Sequence, residues 1–296
     1  MKSGIVSIVG RTNVGKSTLM NRLLDEKVSI VSPVVQTTRN VIRGILNDER
    51  GQIALLDTPG VHRAQNDLGK IMNQSARQTV RGADAVLLVL DVAEKPWQED
   101  DGWLRRLARE ATALTIALNK SDLAEDYRAA YEALWRKAVE EHARQVPAVW
   151  VALSALTGAG VDLLTAAVFD MLPEGPPLFP EDMLTDFPRK LAMADLIREK
   201  LLALLHDELP HAIAVNIEHL DDSGEPWEMD AVIYVNRHSQ KGIVIGHKGR
   251  LVRKAQRQAE AELTALYEKK IRLRLRVKVQ EHWVKNHWIL KQLGYV

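Results

Sequence analysis

The sequence predicts two domains in series: a parallel α/β domain, then a smaller α+β domain. Three observations carry this reading. Strand and helix signals alternate from the start to about residue 172. Pro173-Glu174-Gly175-Pro176-Pro177-Leu178-Phe179-Pro180 then puts four prolines and a glycine into eight residues, which no helix or strand interior tolerates. Beyond it a second pattern of helix, two strands, helix, strand and short helix begins. A length of 296 residues fits two domains at roughly 100–200 residues each.

Ile5–Val9 is a short apolar run that ends in a glycine, and Lys16–Leu24 has helical spacing. Val41–Leu46 and Gln52–Asp57 read as strands joined by the turn Asn47-Asp48-Glu49-Arg50-Gly51. Leu68–Val80 is helical, and Asp84–Asp91, rich in Val and Leu, is a buried strand. Helix Trp97–Arg109, strand Ala113–Leu118, helix Tyr127–Ala143, strand Ala148–Leu153 and helix Val161–Leu172 complete the first domain. After the linker, Phe187–His206 is a helix, Ile213–Glu218 and Met229–Asn236 are strands, and Leu251–Lys270 is a long helix. Ile271–Val279 is a strand, and Glu281–Leu290 closes the chain as a short helix. The expected boundaries are 1–173, a linker over 174–187, and 188–296.

Composition narrows the class. Hydrophobic residues make up 46% and charged residues 27%, which excludes a disordered or fibrous chain. The apolar run Ala85–Leu90 is far short of the ~20 residues needed to span a bilayer. Met1-Lys2-Ser3-Gly4-Ile5 leads into a strand-like run, so no signal peptide is expected. There is no cysteine, which removes disulfides, thiolate metal sites and cysteine nucleophiles and fits a cytoplasmic address. The net charge of +1 conceals an asymmetry. Arg237–Val296 holds 15 Lys/Arg against 4 Asp/Glu, and the remainder holds 25 against 35. A C-terminal part with a net of +11 is suited to a polyanion.

Four motifs carry chemistry in the first domain. Gly10-Arg11-Thr12-Asn13-Val14-Gly15-Lys16-Ser17 matches G-x-x-x-x-G-K-[ST] between a strand and a helix, with Thr18 adjoining. Its backbone N–H groups and the helix N-terminus suit phosphates. Lys16 reaches the β- and γ-phosphates, and the Ser17 hydroxyl suits Mg²⁺. Asp57-Thr58-Pro59-Gly60 ends a strand: Asp57 can hold Mg²⁺ through water, and the Gly60 N–H can meet a γ-phosphate. In Asn119-Lys120-Ser121-Asp122 the Asp122 carboxylate can accept both guanine N1–H and N2–H, which adenine does not offer as a pair. This disfavours an ATPase. Asn119 ties the loops together, and the Lys120 stem can cover the base. Ser154-Ala155-Leu156 follows a strand, placing the Ala155 N–H where it can meet guanine O6. In Gln36-Thr37-Thr38-Arg39-Asn40, Thr37 and Thr38 are equal candidates to complete the Mg²⁺ shell. A bound γ-phosphate is expected to order Val31–Asn40 and the segment after Gly60.

In the second domain, Ile245-Gly246-His247-Lys248-Gly249-Arg250 places a Gly-x-x-Gly loop before the long helix, where a sugar-phosphate chain can approach the backbone. Ile271–Val279 puts five apolar side chains on one face and Arg272, Arg274, Arg276 and Lys278 on the other. Four like charges on one face repel, and a polyanion relieves that repulsion. His282, Trp283, His287 and Trp288 either stack on bases or dock the terminal helix. A GTP-sensing membrane or signalling adaptor that meets anionic lipid is the competing reading of the basic domain. Lipid binding has no need of the Gly-x-x-Gly loop.

Together these motifs, in this order, resemble the Era family of bacterial GTPases over nearly the whole chain. The resemblance implies a Ras-like P-loop G domain, a short linker and a C-terminal type II KH domain. It implies GTP and GDP binding with Mg²⁺, GTP hydrolysis, binding to the 3′ end of 16S ribosomal RNA and assistance to 30S subunit assembly. It also implies a cytoplasmic monomer with some peripheral association at the inner membrane. By the family pattern Thr38 is the Mg²⁺ threonine, acting in catalysis with Lys16 and Gly60. Asn13 falls where related GTPases hold a potassium ion; the alternative is that it only caps the loop. Val61 stands where Ras-like switches carry a water-orienting glutamine, a substitution the family shares.

Overall fold

The computed structural model describes residues 1–34, 36–61, 67–142 and 146–295. The first unit opens with β1 (Lys2–Val9), α1 (Lys16–Leu24), the hairpin β2 (Ile42–Asp48) and β3 (Gly51–Asp57), and α2 (Asp67–Arg81). It continues with β4 (Ala85–Asp91), α3 (Gln98–Glu110), β5 (Leu114–Asn119), α4 (Arg128–His142), β6 (Ala148–Ala152) and α5 (Val161–Met171). The six strands lie in the order β2-β3-β1-β4-β5-β6, antiparallel between β2 and β3 and parallel elsewhere. β4 and β5 are buried at every position, which explains why both read as unbroken apolar runs.

The hairpin is tighter than the five-residue turn expected from sequence. β2 runs on through Asp48, whose Oδ1 accepts the Arg50 N–H at 2.9 Å. The 47–51 stretch is therefore mostly strand. The proline-rich segment is fixed along β2 and β3: the Ile45 N–H donates to the Leu184 carbonyl at 2.8 Å, and Gln52 Oε1 accepts the Leu178 and Phe179 N–H groups.

The chain divides into two compact units at Asp186/Phe187, and Ile30–Thr37 belongs with the second. That unit holds α6 (Arg189–Leu202), α7 (Leu209–Ala212), β7 (Ala214–Asp221), β8 (Trp227–Val235), α8 (His238–Ile245), α9 (Arg250–Tyr267), β9 (Ile271–Val279) and α10 (His287–Gln292). β7 and β8 are antiparallel and β8 and β9 parallel, in the order β7-β8-β9. The sheet buries Ile213, Val215, Met229, Ala231, Ile233 and Leu273 against Met193 and Ile197 of α6 and Ala255, Ala259 and Leu263 of α9. α6 also holds Ile30–Thr37: buried Arg198 donates to the Thr37 carbonyl, and Glu199 Oε2 accepts the Val31 N–H at 3.1 Å.

Two expectations for this unit are corrected. The helix expected over Phe187–His206 ends at Leu202, and Asp207 in the left-handed region breaks the path before α7. The single short helix expected over Glu281–Leu290 is a 3₁₀ turn at Trp283–Lys285 followed by α10. Asn286 caps α10, its Oδ1 accepting the Trp288 and Ile289 N–H groups at 3.1 and 3.2 Å.

Candidate functional site

The site of the first unit lies where the parallel strands end, at the carboxyl edge of the sheet. β1 delivers Gly10, β3 delivers Asp57, β5 delivers Asn119, and the chain after β6 delivers Ser154–Leu156. Asn13 and Gly15 have positive φ (62° and 96°), and α1 begins directly after them, so the loop curls in front of a helix N-terminus. Gly10 and Gly15 cannot be replaced without collision: a Cβ on Gly10 would strike the Val89 carbonyl, and one on Gly15 would strike Asn119 Nδ2. A Cβ on Gly60 would lie 2.7 Å from Thr12 Cα, so the turn after Asp57 also presses on the loop.

Lys16 is 6% exposed, and its ammonium donates to the Gly10 and Arg11 carbonyls at 3.2 and 2.7 Å. Burial, with a smaller contribution from Arg11, lowers its pKa to about 8. A polyphosphate beside it would stabilise the ammonium and raise the pKa again. Asp57 is wholly buried; burial raises its pKa, opposed by Lys16 and by hydrogen bonds from Ser17 and Ser29. Ser17 and Ser29 donate to Asp57 Oδ2 at 2.6 and 2.8 Å, and Ser17 Oγ lies 2.9 Å from Thr38 Oγ1. Asp57 Oδ1 is buried with no hydrogen-bond partner. A carboxylate oxygen so orphaned, beside two hydroxyls, fits a hard divalent cation. Of the two threonine candidates, Thr37 Oγ1 donates to the Val34 carbonyl, and Thr38 Oγ1 faces Ser17 Oγ.

Asn119 bridges two loops, donating to the Val14 carbonyl at 2.7 Å and accepting the Ala155 N–H at 2.9 Å. The Ala155 N–H, expected to meet guanine O6, is engaged here by Asn119 Oδ1. Leu156 is exposed, and Arg22 donates to the Ala155 and Leu156 carbonyls, holding that loop against α1. Asp122 is exposed. Lys120 pairs with Asp91 at 2.5 Å. Sequence reasoning missed Asp91, Ser29 and the pairing of Arg11 with Glu94 and Asp100 at 2.7 and 3.1 Å. Asp91 carried one signal: it is the last residue of β4, in register with Asn119. The loop after Gly60 is described only to Val61, and residues 62–66 and Val35, part of the segments expected to respond to a γ-phosphate, lie outside the described residues.

In the second unit the Gly-x-x-Gly loop joins α8 to α9. Gly246, Lys248 and Gly249 have φ of 72°, 51° and 73°, a sharp bend that leaves His247, Lys248 and Arg250 exposed and Ile245 half-buried. A Cβ on Gly246 would lie 2.8 Å from that of Leu251. Arg253 donates to the Lys248 carbonyl and braces the bend.

The cationic face of β9 is corrected in its premise. Arg272 pairs with Glu228 at 2.7 Å, Arg274 with Asp230 at 2.6 Å and Arg276 with Glu218 at 2.9 Å. These arginines pair with carboxylates on β8 and, one strand further, on β7, so the repulsion inferred from β9 alone is already relieved. Of the two readings for Trp283, stacking and docking, the structure shows docking: it is fully buried, with Nε1–H donating to the Ala212 carbonyl at 3.0 Å. Trp288 is 66% exposed.

Comparison with known proteins agrees with both units. Residues 5–120 match the family described as 50S ribosome-binding GTPase, and residues 208–284 match the KH domain. GTPase Era of Geotalea daltonii is 40% identical over 294 residues, covering 99% of this chain and 97% of that protein. GTPase Era of Lacticaseibacillus paracasei is 40% identical over 296 residues, covering 99% and 96%. The crystal structure of Era with MgGDPNP and nucleotides 1506–1542 of 16S ribosomal RNA superposes with a TM-score of 0.90 at 35% identity, covering 100% of this chain and 99% of that one. A variant of Aquifex aeolicus Era bound to GDP·AlF4⁻ superposes with a TM-score of 0.88 at 35% identity, covering both chains fully.

Proposed function

The chain belongs to the Era family of GTPases, and from that membership we propose that it is a GTP-hydrolysing switch which binds the 3′ end of 16S ribosomal RNA and assists 30S subunit assembly. The observation that carries this reading is one chain holding both a formed phosphate-and-guanine loop set and an exposed Gly-His-Lys-Gly bend. The relatives bound to MgGDPNP with ribosomal RNA and to GDP·AlF4⁻ support it.

Water attacks the γ-phosphorus in line with the β–γ bridging oxygen; the new P–O bond forms as the bridging bond breaks, giving GDP and phosphate. Lys16 and the backbone N–H groups of the Gly10–Ser17 loop and of Gly60 offset the charge on the phosphoryl oxygens. Ser17, Thr38 and, through water, Asp57 would hold Mg²⁺, which supplies further charge neutralisation when bound. Asp122 reads the guanine edge. The Val61 side chain has no hydrogen-bonding group, so it orients no water. Asn13 would hold a potassium ion, which would supply positive charge at the phosphates. His247, Lys248 and Arg250 meet RNA phosphates around Gly246 and Gly249, and Ile245 forms apolar floor beneath the bases. The family pattern further supports a cytoplasmic monomer with peripheral association at the inner membrane surface.

Phosphate release from GTP tests the catalytic half. Turnover should require Mg²⁺ and rise when potassium replaces sodium at constant ionic strength, and Asn13→Ala should remove the difference between the salts. Val61→Ala should change the rate modestly. Equal rates in both salts would return Asn13 to a purely structural role, and a Val61→Ala loss as large as that of Lys16→Ala would contradict the assignment of Val61. Absence of Mg²⁺-dependent release would contradict the GTPase reading itself.

A further inference from the structure

Away from both sites, the groove between α2 and α3 concentrates positive charge within the part of the chain where acidic residues are in excess. It has a volume of about 540 Å³ and is lined by Lys70, Asn73, Gln74, Arg77, Gln78, Arg81 and Arg106. Among the described residues its lining holds no carboxylate. Lys70, Arg77 and Arg81 share one face of α2 at spacings of seven and four, and Asn73, Gln74 and Gln78 interleave with them. Across the groove on α3, Arg106 and Arg109 share one carboxylate, Glu110, at 2.8 and 2.7 Å. Arg77 and Arg81 are exposed, and among the described residues neither forms an ion pair. Arg106 Nε is buried without a hydrogen-bond partner. Burial, and after it repulsion from Arg77, Arg81 and Arg109, holds the Arg106 guanidinium below its usual range against the pull of Glu110. The assembled cations therefore repel one another in the free protein, and an anion in the groove would relieve them.

We propose that the α2–α3 groove is a second RNA-binding surface, taking the phosphate backbone of a double-stranded segment of folded ribosomal RNA. The proposal rests on the ribosomal RNA reading above. The charge is complementary to a duplex backbone, which presents phosphates on both strands. The Gln74 and Gln78 amides add donors and acceptors for phosphate and 2′-hydroxyl groups. No large exposed apolar side chain lines the groove among the described residues, so it offers nothing to insert into a bilayer. The contacts are to backbone and shape, which carry affinity and orientation and no base sequence.

The experiment compares the full-length protein with Arg77→Glu/Arg81→Glu and with the neutral Arg77→Gln/Arg81→Gln. Three probes are titrated across salt: full-length 16S ribosomal RNA, the single-stranded 3′-terminal fragment, and vesicles rich in phosphatidylglycerol. Affinity for GTP reports folding. Two lost duplex phosphate contacts should lower the salt slope on 16S RNA by about 1.8, roughly a 60-fold loss at 0.1 M salt, with the fragment and GTP unaffected. The neutral pair should show the same loss of slope without added repulsion, and it decides the matter if the charge-reversed protein does not fold. Unchanged 16S affinity and slope would overturn the proposal, as would equal losses on 16S RNA and fragment, or a loss confined to vesicles. Failure of the unmodified protein to bind either RNA would instead overturn the ribosomal RNA reading.

Discussion

Asp122→Asn should exchange guanine for xanthine as the preferred base. In the proposed function the carboxylate accepts two guanine N–H groups, and hydrogen bonds to a charged acceptor contribute about 1.5–3 kcal/mol each. Loss of both corresponds to roughly 10²–10⁴ in GTP affinity. The carboxamide of the variant can donate to the O2 that xanthine presents in place of the amino group, so xanthosine triphosphate should gain as GTP loses. Asp122 is exposed in the free protein, and the replacement is isosteric, so folding should be untouched. Titration of both nucleotides reads the outcome. A retained preference for GTP would remove Asp122 from the base-reading role and with it the strongest argument against an ATPase.

The second large effect is expected in the Gly246–Gly249 bend. His247→Asp combined with Lys248→Asp puts two carboxylates where two RNA phosphates are proposed to lie. Two lost contacts on a single strand should lower the salt slope by about 1.4, roughly a 25-fold loss at 0.1 M, before repulsion is added. Both side chains are exposed, and the bend is braced by Arg253 and the glycines, so the second unit should keep its fold. GTP affinity, set by residues before Leu156, is the control. Wild-type affinity for the 16S 3′ fragment in this variant would eliminate the Gly-x-x-Gly loop as the RNA site.

What could be read from the sequence was what the chain specifies locally. The Gly10–Ser17 loop, Asp57–Gly60 and Asn119–Asp122 each need their residue types at fixed spacing because backbone N–H direction and strand ends set the chemistry. The alternation of β9 likewise showed which side chains would face the core. It could not show that β8 lies parallel to β9 with Glu228 opposite Arg272 and Asp230 opposite Arg274. A stripe that is repulsive in one strand is neutralised by register with another, and register is a tertiary property. The same limit hid the pairing of Asp91 with Lys120 and of Ser29 with Asp57, which join residues 29 and 28 positions apart. It also left Thr37 and Thr38 open until the fold placed Thr38 beside Ser17 and turned Thr37 to Val34. For Trp283, composition was compatible with stacking or docking, and only the donor bond to the Ala212 carbonyl decides it.

In the proposed function, nucleotide state and RNA binding are properties of one switch. The chain itself links them: Thr38, proposed to hold Mg²⁺, is preceded by Thr37, whose carbonyl is held by Arg198 in the unit that carries the proposed RNA loop. A ligand shifts such an equilibrium only by its differential affinity for the two states. The decisive measurement is the affinity of the full-length protein for the 16S 3′-terminal fragment with Mg²⁺ and either a non-hydrolysable GTP analogue or GDP bound. RNA should bind tighter in the GTP-analogue state, by about 5–150-fold for a coupling of ordinary size, and the RNA-bound protein should prefer the analogue over GDP by the same added factor. Equal RNA affinity in the two nucleotide states would show that no such switch exists.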